Sequence, residues 1–142
     1  MNLLETAMAI ALEAHEGAVT LSGRPYILHP LHIMLQMDNE EEMITAVLHD
    51  VVEDSSITLG ELAALGFSES VLNALELLTH DKTTEGYEDY ILALKPNPLA
   101  RRVKLADLTH NMDIRRLPFP LSKRDLQRLE VYRHAWEILN EQ

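Results

Sequence analysis

The 142-residue chain contains no cysteine, so disulfide bonds and thiolate metal ligands are excluded. It also lacks any apolar run approaching the roughly 20 residues that a membrane-spanning helix requires. Its first residues show neither the basic start nor the small-residue cleavage site of a secretory signal peptide. These absences predict a cytoplasmic protein with no membrane partner.

Positive charge is scarce in this chain. It has 12 Lys and Arg against 23 Asp and Glu, which gives a formal net charge of −11. A nucleic-acid polymer is therefore not expected as a partner, because such binding depends on cations that displace counterions from the phosphates. Ten of the twelve cations lie in residues 95–142. They form either a basic surface that compensates the acidic one or a cationic wall facing a polyanionic small molecule.

The sequence also lacks an alternating apolar–polar run long enough for a sheet, whereas helical periodicity recurs throughout. No repeat, low-complexity segment or linker divides the chain, so we predict an all-α fold with a single domain over residues 1–142. The predicted helices cover residues 3–15, 31–37, 40–53, 87–94, 98–113 and 123–139, with shorter ones between Thr58 and Gly66 and from Ser68 to Leu78.

Four chemically active side chains occur within six residues at the end of one apolar helix: His49, Asp50, Glu53 and Asp54. A buried carboxylate costs several kcal/mol unless it is paired, hydrogen-bonded or bound to a cation. On a continuous helix, residues four apart lie on the same face, so these side chains would form one polar face. A divalent metal ion is the simplest partner for them.

His29 and Asp107 could complete such a site. His29 is predicted just before a helix, and Asp107 shares a helical face with Lys104 and Asn111. Two imidazoles and two carboxylates favour Mn²⁺ or Fe²⁺ over a structural zinc ion. The residues alone leave open whether His29 is a ligand or a hydrogen-bonded core residue. They also leave open whether Lys104 pairs with an acid or contacts a phosphate.

Three segments carry a family resemblance: SGRPYILHP (residues 22–30), AVLHDVVED (46–54) and VKLADLTHN (103–111). In order and spacing they resemble the HD-domain phosphohydrolases of the RelA/SpoT type. The resemblance is strongest to small stand-alone alarmone hydrolases such as the metazoan SpoT homologue. It covers residues 14–132 and implies a single HD-domain helical bundle. Three segments together are far more specific than the dipeptide His-Asp alone.

The resemblance implies roles for individual residues. Glu53 and Asp54 correspond to the acidic pair that positions and activates the attacking water. Mn²⁺ is the usual ion of the family. The residues that correspond to its metal ligands are His29, His49, Asp50 and Asp107, and those that correspond to its substrate contacts are Lys82, Asn111, Arg128 and Tyr132.

The implied reaction is removal of the 3′-pyrophosphate of (p)ppGpp, and some members remove the 2′-phosphate of NADPH. The alternatives are a generic HD 5′-nucleotidase and a non-catalytic alarmone-binding module. The family commonly has Gln and Arg where this chain has Ala18 and Thr20, and some members have Lys at Leu21. Base specificity is therefore left open, as is a homo-oligomeric state.

The remaining histidines and one arginine pair receive structural interpretations. His110 is the strongest exception, because it adjoins Asn111. Arg115 and Arg116 could approach a substrate, but a solvated surface pair is the preferred interpretation. The histidines assigned to structural or surface positions are His15, His32, His80 and His134.

Overall fold

The computed structural model describes residues 1–141 and confirms the predicted all-α fold. No helix within these residues is long and apolar enough to cross a membrane. The described part of the chain forms nine α-helices and one short 3₁₀ helix: α1 (Leu3–Ala14), α2 (Leu28–Leu35), α3 (Glu40–Leu48), α4 (Val51–Asp54), α5 (Leu59–Ala64), α6 (Glu69–Leu78), α7 (Tyr87–Leu94), α8 (Pro98–Asn111), the 3₁₀ helix (Ile114–Arg116) and α9 (Lys123–Asn140).

Helix α3 lies at the centre of the fold. It packs against α1, α2, α6 and α8, and its residues from Ile44 to Leu48 are all buried. Asn39 begins the helix, since its side chain accepts a hydrogen bond from the backbone N–H of Glu42 at 2.9 Å. Because this stretch is buried on every side, the C-terminal end of α3 delivers His49 to the protein interior.

Several helix boundaries follow from local capping signals. The side chains of Thr58 and Ser68 accept hydrogen bonds from backbone N–H groups and begin α5 and α6. Ser122 and Asp125 form a reciprocal capping box at the start of α9. Helix α7 has the predicted bounds. These starts were predicted correctly because each depends on residues within one helical turn.

The predicted continuous helix over residues 40–53 is wrong at His49 and Asp50. Helix α3 ends at Leu48, and α4 begins at Val51. In a continuous helix the Ala46 carbonyl would accept the N–H of Asp50. Here it accepts the backbone N–H of His49 at 3.3 Å and faces the His49 Nδ1 atom at 2.6 Å. This side-chain contact occupies the carbonyl, and the chain turns between the two helices.

Two other helices have shifted ends. Helix α2 begins at Leu28, three residues before the predicted start, so His29 lies inside its first turn and not before it. Pro30 is still in that turn, where its missing N–H costs little. Helix α8 ends at Asn111, two residues early. The Asp113 side chain accepts the N–H of Arg115 and begins the 3₁₀ helix there.

The connector between α1 and α2 forms a small hairpin. Val19 and Pro25 make an isolated β-bridge. The N–H of Tyr26 donates to the Ala18 carbonyl at 2.8 Å. Gly23 has a φ of +83°, a left-handed conformation that a residue with a side chain rarely adopts. The hairpin therefore fixes the position of Tyr26 at the start of α2.

We expect Leu62→Ala to destabilise the fold by roughly 2–5 kcal/mol, because Leu62 is fully buried and its removal leaves a cavity. Leu65→Ala is the matched control, since Leu65 follows the same helix but is 52% exposed. Its effect should stay within about 0.5 kcal/mol. Urea unfolding followed by circular dichroism measures both. Equal losses for the two variants would contradict the observed packing of α5.

Candidate active site

Four polar side chains from different parts of the chain converge on one buried point. His29 comes from α2, Asp107 from α8, and His49 and Asp50 from the turn between α3 and α4. The His49 Nε2 atom lies 3.1 Å from Asp50 Oδ2 and 3.5 Å from Asp107 Oδ1. His29 Nε2 lies 2.8 Å from Asp107 Oδ1. The structure thus brings together all four residues for which the resemblance implied metal ligation; we call them the metal pocket.

The donor atoms of this pocket fit a divalent metal ion. Possible ligand atoms of His29, His49 and Asp50 all lie within 4.8 Å of one another. Metal–ligand bonds of about 2.1 Å at right angles place adjacent ligand atoms about 3 Å apart, close to the separations around His49. The His49 Nε2 atom is buried and lies near two carboxylate oxygens, but it makes no well-aligned hydrogen bond within residues 1–141. A cation would satisfy it.

The pocket keeps its carboxylates ionised. Burial would raise the pKa of Asp107, but Lys104 and the neighbouring imidazoles hold it well below its usual value. Burial likewise opposes ionisation of Asp50, yet His49 and the hydrogen bond from Tyr26 lower its pKa to about 2. Burial would lower the pKa of His49, and the two carboxylates instead raise it well above its usual value. Both acids therefore carry the charge that a metal ligand requires.

A tyrosine supports the pocket from the connector side. The Tyr26 hydroxyl donates a hydrogen bond to Asp50 Oδ2, and its ring packs against His15 and His29 with centroid distances of 4.8 and 5.6 Å. Outer hydrogen bonds of this kind orient metal ligands and tune their affinity. His15 is buried here, and its interpretation as a structural residue stays a prediction.

Helix α8 supplies a second set of supporting contacts. Lys104 Nζ lies 2.9 Å from Asp107 Oδ2, so Lys104 pairs with an acid. The Asn111 amide donates to Asp107 Oδ1 at 3.2 Å. His110, the predicted exception among the histidines, places its Nδ1 atom 2.7 Å from His29 Nδ1. Three residues of one helix therefore fix two of the four side chains in the metal pocket.

The two acids of α4 lie at the exposed side of the pocket. Glu53 Oε1 accepts the backbone N–H of His80 at 2.8 Å, which fixes the carboxylate against the loop between α6 and α7. Partial burial, together with the charges of Asp50 and Glu53, raises the pKa of Asp54 to about 6. Lys82 lies in that loop, and its charge acts on Asp54 in the opposite direction.

A cavity of about 200 Å³ adjoins the metal pocket. Three of the predicted substrate contacts, Asn111, Arg128 and Tyr132, lie together in its wall, and Tyr26 connects the wall to Asp50. Lys82 does not line this cavity. The rest of the cavity wall is formed by Val19, Thr20, Leu21, Arg116, Leu117, Asp125 and Leu129.

Sequence reasoning missed Tyr26 and preferred the wrong one of two interpretations for Arg116. Tyr26 lies inside one of the family segments, but it precedes α2, in a turn where its carbonyl accepts the N–H of His29 at 2.9 Å. Membership of that segment was the available signal, because helical periodicity does not apply to a turn. Arg116 was interpreted as a solvated residue, whereas it lines the cavity. No local pattern identifies it, because its position depends on the 3₁₀ turn that follows α8.

Two proteins named for (p)ppGpp hydrolysis are similar to this chain in sequence. The bifunctional (p)ppGpp synthase/hydrolase SpoT of Escherichia coli (strain K12) is 34% identical over 145 residues, which cover 91% of this chain and 20% of SpoT. The guanosine-3′,5′-bis(diphosphate) 3′-pyrophosphohydrolase of Haemophilus influenzae is 37% identical over 117 residues, which cover 72% and 17%. The chain thus spans about a fifth of the length of these relatives. No protein-family model matches it.

A solved structure has the same fold. It is a metazoan ortholog of SpoT, described as hydrolysing ppGpp and playing a role in starvation responses. The two structures superpose with a TM-score of 0.78 over 99% of this chain and 86% of the other, at 20% sequence identity. At that identity the likeness shows the fold alone, and the fold agrees with the predicted helical bundle.

Proposed function

Because the chain is related to the RelA/SpoT-type hydrolases, we propose that it is a metal-dependent phosphohydrolase acting on a nucleotide. It removes a pyrophosphate or phosphate attached to the ribose, as in the 3′-pyrophosphohydrolase reaction for which a relative is named. Residues 1–142 form one HD-type hydrolase domain in this proposal. Its main support is the convergence of His29, His49 and Asp50 within 4.8 Å, beside Asp107.

We assign these four residues as the ligands of one divalent ion. Mn²⁺ is the preferred ion, and Fe²⁺ is the alternative. The assignment rests on a mixed set of imidazole and carboxylate donors, without a thiolate. When bound, the ion supplies Lewis-acid polarisation of a phosphoryl oxygen. The ionised state of Asp50 and Asp107 supports binding, whereas His49, whose pKa these carboxylates raise, must release a proton when the ion binds.

Glu53 and Asp54 together position and activate the attacking water. The Glu53 carboxylate is held by the N–H of His80 through one oxygen, which leaves the other to orient a water molecule. Asp54 has a pKa raised to about 6, near neutrality, where a general base is most effective. We therefore assign water positioning to Glu53 and proton acceptance to Asp54.

The remaining substrate contacts divide between two places. Asn111, Arg128 and Tyr132 bind the nucleotide in the cavity, where they share one wall. Lys82 approaches the phosphates from the loop near Asp54. Cations on both sides of the metal pocket suit a polyanionic substrate.

We expect the Mn²⁺-loaded protein to release pyrophosphate from guanosine- or adenosine-3′,5′-bis(diphosphate), and to release little phosphate from GMP or AMP. NADPH belongs in the same panel, since phosphate release from it would indicate a 2′-phosphatase. Ion chromatography separates phosphate from pyrophosphate and identifies the bond that is cleaved. Protein treated with EDTA is the control and should be inactive.

Each outcome of this panel decides between functions. Turnover of GMP and AMP alone would indicate a 5′-nucleotidase. Tight binding of guanosine-3′,5′-bis(diphosphate) without turnover of any compound would refute the enzyme and indicate a binding module. A preference between the guanine and adenine compounds would establish base specificity.

A further inference from the structure

Two arginines line the cavity beside the metal pocket, and they come from different elements. Arg116 ends the 3₁₀ helix, and Arg128 lies in α9. Both are partly buried. Only one acidic side chain, Asp125, shares this wall within the described residues. The cationic groups therefore outnumber the acidic ones around the cavity, although the whole chain is acidic.

Arg116 is held in place by the end of α8. Its Nη1 atom donates to the His110 carbonyl at 3.0 Å and to Asn111 Oδ1 at 3.3 Å. Within residues 1–141, its Nε and Nη2 atoms make no hydrogen bond to protein. Arg116 is thus fixed through one nitrogen while the other N–H groups stay available. A planar guanidinium with free N–H groups matches the geometry of a phosphate.

Arg128 is also incompletely neutralised. Its Nη2 atom lies 3.4 Å from Asp125 Oδ1, a long contact for an ion pair. The other oxygen of Asp125 accepts the backbone N–H of Ser122 at 3.0 Å as part of the helix cap. Since Asp125 serves the start of α9, it offsets only part of the charge of the two arginines.

Arg116 is separated from the metal pocket by one side chain, that of Asn111. The Asn111 amide group donates to Asp107 through its nitrogen and accepts from Arg116 through its oxygen. His29, His49 and Asp107 are buried behind the cavity wall. The four side chains of the metal pocket do not line the cavity that carries the arginines. The arginines are therefore placed to contact a phosphate other than the one at the metal pocket.

We propose that Arg116, together with Arg128, binds a second phosphate or diphosphate of the substrate that is not hydrolysed. This inference rests on the proposed function, and it selects nucleotides phosphorylated at both ends of the ribose over those with one phosphorylated position. The sugar and base lie between the two sites, against an aliphatic wall formed by Val19, Leu21, Leu117 and Leu129.

Arg116→Ala should raise KM for guanosine-3′,5′-bis(diphosphate) by about 10- to 100-fold, the loss expected for hydrogen bonds to a charged group. The change in kcat should be small. For guanosine 3′-diphosphate, which lacks the 5′ phosphates, KM should not change. Arg116→Lys should recover part of the loss, because it keeps the charge without the planar fork.

Arg115→Ala is the matched control. Arg115 is the exposed neighbour, it pairs with Asp113 at 2.8 Å, and it lies outside the cavity wall. This variant should behave like the unchanged protein with both substrates. Thermal unfolding of every variant excludes loss of the fold, and Mn²⁺ affinity measured by calorimetry should be the same in all of them.

A binding measurement separates this inference from the proposed function. In EDTA, the Kd of GDP should rise about 10- to 100-fold in Arg116→Ala, while the weaker binding of guanosine stays the same. The inference is overturned if GDP binds Arg116→Ala and the unchanged protein with the same Kd. It is also overturned if Arg116→Ala raises KM equally for guanosine-3′,5′-bis(diphosphate) and guanosine 3′-diphosphate. An unchanged protein that binds GDP through Arg116 but hydrolyses nothing refutes the proposed function alone.

Discussion

Replacing Asp50 with alanine should remove metal binding and hydrolysis together. Asp50 Oδ2 lies 3.1 Å from His49 Nε2 and accepts the hydroxyl of Tyr26, so it joins the pocket to its outer support. Loss of an outer partner alone typically weakens metal affinity 10–100-fold. Removal of a ligand should therefore lower Mn²⁺ affinity by more than about 100-fold. Calorimetric titration of Mn²⁺ and pyrophosphate release measure the two effects.

Asp89→Ala is the control for this change. Asp89 is an exposed acid in the first turn of α7, so its loss alters the net charge equally and leaves the pocket intact. Asp50→Asn keeps the shape of the side chain, so a loss of Mn²⁺ affinity in this variant as well would not be explained by misfolding. Retention of full Mn²⁺ affinity by Asp50→Ala would contradict the assignment of Asp50 as a ligand.

The helix starts could be predicted because their causes are local. Ser68 and Ser122 bind N–H groups only three residues away, and the sequence shows both partners. The break after Leu48 could not be predicted in this way. Hydrophobic periodicity continues through it, and the deciding contact is between the His49 ring and the Ala46 carbonyl. A side-chain rotamer, which no periodicity encodes, determines whether that contact forms.

The site was predictable to a similar extent. Resemblance brought His29 and Asp107 together although 78 residues separate them, which periodicity alone could not do. For Arg116 the sequence left two positions open, at the surface or near the substrate, because local sequence gives only its polarity. Whether it faces solvent or the cavity depends on the turn after α8.

The positions where the chain departs from its family acquire a physical meaning in the structure. Thr20 and Leu21 lie in the wall of the cavity, whereas Ala18 acts through its carbonyl, which fixes Tyr26. An aliphatic wall can pack against the face of a base but cannot read its hydrogen-bonding edge. Selectivity for one base therefore has little support from this side of the cavity. The comparison of guanine and adenine substrates tests whether the protein has such selectivity.

Asp54→Asn should lower kcat by about 10²- to 10⁴-fold, the usual contribution of a general base, without loss of Mn²⁺. The pKa of Asp54 is raised to about 6, so the carboxylate is protonated below that pH and ionised above it. Only the ionised form accepts a proton. A bound dication would offset part of the Asp50 charge that raises this pKa, so the kcat of the unchanged protein should rise with pH through a midpoint at or below about 6 and then level off.

The pH profile distinguishes the two acids of α4, which a loss of rate alone cannot do. Glu53→Gln should also slow turnover. One oxygen of Glu53 accepts the N–H of His80, and in glutamine the other is replaced by an NH₂ group, which cannot accept a hydrogen bond from the water. The remaining activity of Glu53→Gln should keep a rise with pH, since Asp54 is still present, and the midpoint should move to lower pH because the charge of Glu53 no longer raises the pKa of Asp54. Asp54→Asn should lose that rise. The opposite result would exchange the roles of the two residues. If both variants keep the rise in kcat with pH, the general base is a residue other than Glu53 or Asp54.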